Sequence, residues 1–442
     1  MNTRDERISF DVIVVGAGLA GPAAAMVAAR AGLNVALVER GQKPGSKNYF
    51  GGAIYTHAIE ELIPDFMSRR PPFERPVTEA GFWFLSEDGL TRMTVQGGKL
   101  ANQPADAYTT LRAPFDLWWT EQAQKDGVFL IPKTTVVDFI READGQVIGV
   151  KTDRPQGDIY APVVIICEGV NNILTQKLGL IEHDLEPAHL ALGVKQVVAL
   201  PPETINARFG LPDNDHGLAV SVLGDVSLGL PGMGFVYTNS KTLSVGLGVM
   251  LSTLSEYKLK PYEVLQRYLQ HPAIAPLVAG GQLLEYGGHL IPEGGYRDMP
   301  KLYTGGALVA GDAAAMVNAL HWEGTNMAII AGKLAGETAI EAHGRGDFSN
   351  KVMVGYEERL KASFILPDLK QYRGFSHFLD THPEFMGTYP AFLNDALGDF
   401  FSAYGRPKMQ LFKGMLGSLT ERRSLPRAAG DIISMGRAVL GW

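Results

Sequence analysis

An α/β fold is predicted for this chain by three features. A short apolar strand runs into glycines and a helix; a return strand ends in an acid; and a second apolar strand near residue 310 stops at Gly-Asp. The first two lie in one stretch, DVIVVGAGLAGPAAAMVAARAGLNVALVER, from Asp11 to Arg40. Val12–Val15 reads as the opening strand and Gly16-Ala17-Gly18-Leu19-Ala20-Gly21 as the turn. An alanine-rich helix follows, stops at Gly32 and gives way to Val35–Val38. This is the Rossmann-like unit that binds a dinucleotide. Gly16 permits the tight turn, Gly18 lets the backbone approach a pyrophosphate, and Gly21 allows close helix–strand packing. The helix N-terminus adds unpaired N–H groups and a positive dipole end. Glu39 stands about 20 residues on, where an acid accepts from ribose hydroxyls. Residues 12–29 carry no charge, but a bilayer span needs about 20 apolar residues, and three glycines with Pro22 describe a turn better.

The chain has 442 residues. One core stops growing at ~250–300, so interleaved units are expected. Hydrophobic content of 46% with 20% charged is ordinary for a soluble enzyme. A net charge of −7 argues against nucleic acid as a partner. No signal peptide is read in MNTRDERISF, which has acids and no apolar core. Cys167 is the one cysteine. It is read as a small buried hydrophobe. Intrachain disulfides and clusters held by about four thiolates are excluded. Neither HExxH nor CxxC occurs, and no metal site is expected.

Beyond Glu39 a glycine-punctuated loop, GQKPGSKNYFGGAIY, leads to a helix expected over 57–66. Residues 77–95 alternate like strands about Glu87-Asp88-Gly89. Arg112 opens a helix to Lys125, ended by Gly127. Strands are read at 128–131, 136–142 and Val147–Thr152, the last two joined by a turn at Ala143-Asp144-Gly145-Gln146. The apolar run Val163–Ile166 is a buried parallel strand. From about 190 to 288 the pattern is strand-rich, with strands at 192–200, 218–222, 235–237 and Thr242–Met250 and a helix at 261–269. A last buried strand, 308–310, meets Gly311-Asp312, and a long small-residue helix is expected to follow directly, through Ala342. An acid at that place suits the ribityl chain of FAD better than NAD.

The stretches DVIVVGAGLAGPAAA, FGGAIY, TTLRAPFDLWW, VVIICEGVNNIL, LGVKQVVALP, MGFVYTNSKTLSVGLGVML, IPEGGYRDMPKLYTGGALVAGDAAAMVN and HWEGTNMAIIAGKLAGE occur in one order. Through about residue 345 the chain resembles flavoproteins related to p-hydroxybenzoate hydroxylase and geranylgeranyl reductase. Within them it most resembles the electron-transfer-flavoprotein:quinone oxidoreductases, in particular their FixC-type relatives. The resemblance implies an α/β protein: an FAD-binding domain at 1–75, 108–189 and 300–345, interleaved with a mixed-sheet substrate (quinone) domain at 76–107 and 190–299. A helical docking region at 346–442 would complete it. Gly16, Gly18, Gly21, Glu39, Arg40 and Arg112 would hold the AMP and pyrophosphate part of FAD. Gly51 and Gly52 would let a loop approach the ring, and Val136 would lie against adenine. Glu168 and Gly169 would sit near the cofactor, and Gly311 and Asp312 at the ribityl–phosphate part. Gly324, Thr325 and Asn326 would face the pyrimidine edge. His321 would hydrogen-bond the flavin or a quinone carbonyl, or else is an ordinary packed or surface histidine.

Full-length quinone oxidoreductases of this kind carry a four-cysteine iron–sulfur domain, and this chain has no such cysteines. The resemblance then implies one subunit of a FixABCX-type complex. Its partners would be the α and β subunits of an electron-transfer flavoprotein, a small ferredoxin-like iron–sulfur subunit and membrane quinone. Its place would be the cytoplasmic membrane surface, and its assembly could bifurcate electrons from NADH. The tail 404–442 mixes Arg406, Lys408, Lys413, Arg422, Arg423, Arg427 and Arg437 with large apolar residues. It reads as a capping helix, a membrane-surface element or a docking face. Rival functions are an isoprenoid double-bond reductase, a hydroxylase and a non-catalytic redox scaffold.

Overall fold

The structure is a computed structural model that describes residues 8–48, 52–182, 186–402, 405 and 407–440. It divides into two compact units, 1–72 with 111–185 and 291–373, and 73–110 with 186–290 and 374–442. The tail expected as a separate region at 346–442 is thus divided. Helices Asn350–Ala362 and Ile365–Gln371 belong to the first unit, and the helices from Phe375 onward to the second. Helical content alone does not mark a domain; the face on which each helix buries its apolar residues does.

The first unit is built on a six-stranded sheet. Its order is Tyr303–Thr304, Ala307–Val309, Val163–Ile166, Val12–Val15, Val35–Val38 and Phe129–Ile131. All neighbours are parallel except the first pair. Every residue of the three central strands is buried. That is why these strands read as unbroken apolar runs: both faces of the sheet are covered. Helix Ala20–Arg30 packs on helix Thr325–Arg345. A Cβ on Gly332 would stand 2.1 Å from the Ala20 carbonyl, and one on Gly336 2.7 Å from that of Ala24. The small residues thus let two helix backbones touch. A second sheet holds Ile8–Ser9, Ile159–Tyr160, Val147–Thr152 and Val136–Arg141. Its last two strands form the expected hairpin.

The second unit carries a larger sheet, ordered Gln282–Pro292, Leu190–Ala199, Thr242–Met250, Gly232–Thr238, Gly217–Gly224, Phe73–Leu85 and Ala107–Thr110. Leu90–Gln96 pairs with Phe73–Leu85. Helices Pro202–Phe209 and Pro261–Gln270 bury Ile205, Leu265 and Tyr268 in the same core as Trp83, Val222 and Leu247. Fully buried Arg75 donates to the carbonyls of Asn239, Asp213 and His216 and to the side chains of Asn206 and Asn214. It thereby satisfies a loop that has no ladder of its own.

Two expected helices differ. That at 57–66 ends at Leu62, and a separate 3-10 turn, Phe66–Arg69, follows Pro64. The long helix expected straight after Gly311-Asp312 is interrupted. Gly311–Ala314 is a single 3-10 turn, Ala315 and Trp322 are left-handed, and the helix begins only at Thr325. The Asn318 side chain accepts from the Leu320 and His321 backbone N–H groups. Such local bonds compete with helix formation.

Candidate functional site: the glycine turn and the Asn318–Asn326 loop

The three glycines of the opening turn have different reasons to be glycine. Gly16 has φ +104°, and a Cβ there would stand 2.2 Å from the Cys167 carbonyl. A Cβ on Gly21 would stand 1.8 Å from the Gly16 carbonyl. Both are demanded by the protein's own packing. At Gly18 the nearest atom is Asn48 Nδ2, 3.9 Å away, so the space beside it is open. The turn is held from behind by buried Trp119, whose indole N–H donates to the Leu19 carbonyl at 3.0 Å.

Glu39 closes the other side. Its carboxylate accepts from Ala17 N at 2.9 Å and Gly41 N at 2.5 Å. Arg40 is exposed. Arg112 meets fully buried Asp116 through Nε at 2.8 Å and Nη2 at 3.0 Å, and Asn48 also donates to Asp116. Burial alone would lower the Arg112 guanidinium, but Asp116 and then Asp312 outweigh it and hold it above its usual value. Val136 is buried where its strand begins. Glu168 accepts from Leu174 N, Thr175 N and the Thr175 hydroxyl, and so caps the helix Ile173–Lys177. Gly169 follows it with φ +77°. Gly52 is buried, whereas Gly51 lies outside the described residues.

The loop between the 3-10 turn and the long helix is pinned by a backbone bridge, Asn318 with Glu323. Two buried amide atoms, one in this loop and one in the first turn of the helix, have no hydrogen-bond partner among the described residues: Asn318 Nδ2, a donor, and Asn326 Oδ1, an acceptor. Orphaned buried polar atoms are costly. A donor and an acceptor left open together suit a ligand edge that carries both. His321 is exposed, and its ring meets Tyr372 edge-on at 5.8 Å.

Three acids of this unit, Asp312, Glu293 and Glu323, have environments that the sequence alone does not mark. Asp312 interacts electrostatically with Arg112 and with Glu293. Burial, and then Asp312, push the half-buried Glu293 up to about 7. Its folded value lies above its unfolded one, so the stability it contributes is fully present below the ordinary glutamate range. That stability is lost as pH rises through about 7. Wild-type apoprotein should therefore lose melting temperature against Glu293→Gln as pH is raised from 4.5 to about 7. Parallel pH profiles would remove Glu293 from this role. Glu323 is also raised, by burial first, with Asp368 adding and His321 opposing. Its one signal in the sequence was its place beside Gly324.

Two family descriptions match the chain: "FAD dependent oxidoreductase" over residues 11–169, and "ETF-QO/FixC family C-terminal domain" over 375–440. The Protein FixC of Azorhizobium caulinodans is 39% identical over 431 residues, covering 97% of this chain and 98% of that protein. The chain belongs to the ETF-QO/FixC family. That of Escherichia coli K12 is 39% identical over 399 residues, covering 90% and 91%. Among solved structures, a geranylgeranyl bacteriochlorophyll reductase-like protein from Thermoplasma acidophilum matches with TM-score 0.73 at 21% identity, covering 95% of this chain and 98% of that one. The myxobacterial halogenase CndH matches at TM-score 0.65 and 18% identity, covering 98% and 99%. At such identities these two share the fold. This family member is an FAD-dependent oxidoreductase with FAD as its cofactor, and the open space at Gly18 and the two orphaned amides fit that group. Bound FAD supplies the electron and hydride chemistry; the protein positions and tunes it.

Proposed function

We propose that the chain accepts electrons from an electron-transfer flavoprotein onto FAD and delivers them to quinone at the cytoplasmic membrane surface. It would act as one subunit beside the flavoprotein's α and β chains and a ferredoxin-like iron–sulfur protein, with the quinone branch of a bifurcating assembly as its share. In this reading Gly16, Gly18 and Gly21 take the pyrophosphate. Glu39 orders the turn for the ribose, and Arg112 and Asp312 face the phosphate–ribityl part. Asn318 Nδ2 and Asn326 Oδ1 would meet the ring's acceptor and donor edge. Asp312→Ala should then weaken FAD binding. One charged hydrogen bond is worth roughly 1.5–3 kcal/mol, about ten- to over a hundred-fold in affinity. Fluorescence titration of apoprotein measures it, and unchanged affinity would move the acid away from FAD.

The observation that carries the reading is the C-terminal region, 375–440, which matches the ETF-QO/FixC C-terminal domain. Its helices Lys408–Arg422 and Leu425–Leu440 expose Met409, Phe412, Leu416, Ile432 and Ile433 beside Lys408, Lys413, Arg427 and Arg437. A capping helix would bury such groups. A basic, apolar surface suits anionic lipid. Among the described residues no helix is long and apolar enough to cross a membrane, so contact would be peripheral.

The test is reconstitution with both electron-transfer flavoprotein subunits, the ferredoxin-like protein and quinone-loaded anionic vesicles. FAD should be reduced by the flavoprotein and reoxidised by quinone, and the isolated chain should contain flavin without iron. Flavin that neither partner reduces would mark a scaffold. Direct NAD(P)H oxidation with oxygen would mark a hydroxylase, and saturation of isoprenoid double bonds a reductase. Truncation before residue 404 should abolish vesicle binding. If it removes only co-purifying subunits, the tail is a docking face.

A further inference from the structure

Glu323 sits in a small cluster of titratable groups at the mouth of the long helix. The Asn318–Glu323 bridge and left-handed Trp322 hold its backbone. Its side chain is half-buried and hydrogen-bonds the Asn326 amide. That bond turns the same amide so that its oxygen, Oδ1, is left buried without a partner among the described residues. The groups that interact electrostatically with Glu323 come from three elements. Tyr55 is on the strand Ala53–Tyr55, His321 is on the loop, and Asp368 is on the helix Ile365–Gln371. Tyr55 is 37% exposed and His321 is exposed, so the cluster runs from a half-buried carboxyl to solvent.

We propose that Glu323, flanked by Tyr55 and His321, is the residue that exchanges a proton with the isoalloxazine ring during its redox cycle and passes it to or from solvent. The inference rests on the reading that Gly324–Asn326 faces the ring, and it deepens that reading by naming the proton path. Full reduction brings the ring two electrons, supplied by the electron-transfer flavoprotein, and two protons. One of those protons would leave the Glu323 carboxylic acid, its O–H bond breaking as the ring takes up the proton and a carboxylate remaining, and the other would come from solvent. Solvent then returns a proton through His321. Reoxidation reverses the step as the electrons pass to quinone. The arrangement suits the task. Burial raises the Glu323 carboxyl above the usual carboxylate range, and Asp368 adds to this. Burial likewise raises the Tyr55 phenol, with Glu323 adding to it. Tyr55 therefore stays a neutral hydrogen-bonding group while its neighbour titrates.

The experiment is time-resolved infrared difference spectroscopy during reduction of the FAD-loaded full chain, with midpoint potentials measured against pH. Wild-type protein should show a carboxylic-acid C=O band that is lost transiently on reduction, recovers as solvent returns the proton, and shifts when glutamate is isotope-labelled. It should also show an inflection in the potential–pH curve. Both should vanish in Glu323→Gln, which keeps the polar contact to Asn326, and both should return in Glu323→Asp at a shifted pH. His321→Ala should slow the return of the proton without removing the band. A band unaffected by glutamate labelling overturns the proposal, and so does one that vanishes in Glu293→Gln instead. Should Glu323→Gln fail to fold, labelled wild-type protein with the Glu293→Gln control still decides. Reading and proposal fail separately. A flavin that the electron-transfer flavoprotein cannot reduce, but that shows the Glu323 band under chemical reduction, refutes only the former.

Discussion

Gly18→Val should leave the apoprotein folded and strip it of flavin. The nearest atom to a Cβ at Gly18 is 3.9 Å away, so the fold has room for a side chain there. That room lies at the N-terminus of the helix Ala20–Arg30, where backbone N–H groups collect anions. A valine would fill it and keep phosphate oxygens from the backbone. The loss expected is at least two orders of magnitude in affinity, about 2.7 kcal/mol or more, read as flavin absorbance per chain with an unchanged melting curve for apoprotein. Gly21→Ala makes the contrast. Its Cβ would collide with the Gly16 carbonyl at 1.8 Å, and the variant should lose stability whether or not flavin is present. Wild-type flavin content in Gly18→Val would overturn the assignment of this turn.

Asp431→Ala should release the C-terminal helices. Asp431 is 4% exposed and accepts from Arg423 Nε at 2.8 Å, Arg423 Nη2 at 2.7 Å and the Tyr389 hydroxyl at 2.6 Å. Arg423 also reaches Glu384 at 2.5 Å. Removing Asp431 leaves the partly exposed Arg423 with Glu384 but takes away the acceptor of two of its hydrogen bonds and of the Tyr389 hydroxyl, a cost of about 1.5–3 kcal/mol. Urea titration should show that loss, and limited proteolysis should cut first near residue 405. Melting at the wild-type midpoint would mean that the network is dispensable. The hydrogen bonds from Arg423 hold the Asp431 carboxyl below the usual carboxylate range. Its contribution is therefore present above the unfolded value and is lost only as pH falls through the depressed folded one. Mild acid should not detach the tail.

What was legible was what is local. The order strand, glycine turn, helix, strand, acid occupies 30 consecutive residues, and each part obeys a short-range rule: buried strands run apolar, and tight turns need glycine. The strands Val12–Val15, Val35–Val38 and Val163–Ile166 and the helix Arg112–Lys125 lie where the pattern put them. The strand Gln282–Pro292 was not individually legible. Leu283, Leu284 and Tyr286 are all exposed on it, so no alternation marks it.

By itself the sequence determined the α/β class, the dinucleotide turn and the absence of enough cysteines for a cluster, because composition and near-neighbour sterics decide those. The tertiary structure alone decided which glycine leaves room for a ligand. Gly16, Gly18 and Gly21 look alike in a string, and only the positions of the Cys167 carbonyl and the Gly16 carbonyl tell them apart. It also decided that Gly311-Asp312 opens a single 3-10 turn. There, side-chain bonds from Asn318 outweigh a helical propensity worth only tenths of a kcal/mol per residue. Charges far apart in the chain followed the same rule. Burial and then Asp312 raise Glu293, Asp116 and then Asp312 hold Arg112 up against burial, and burial first of all raises Tyr55 and Glu323, because desolvation and Coulomb effects depend on distance in space and not along the sequence.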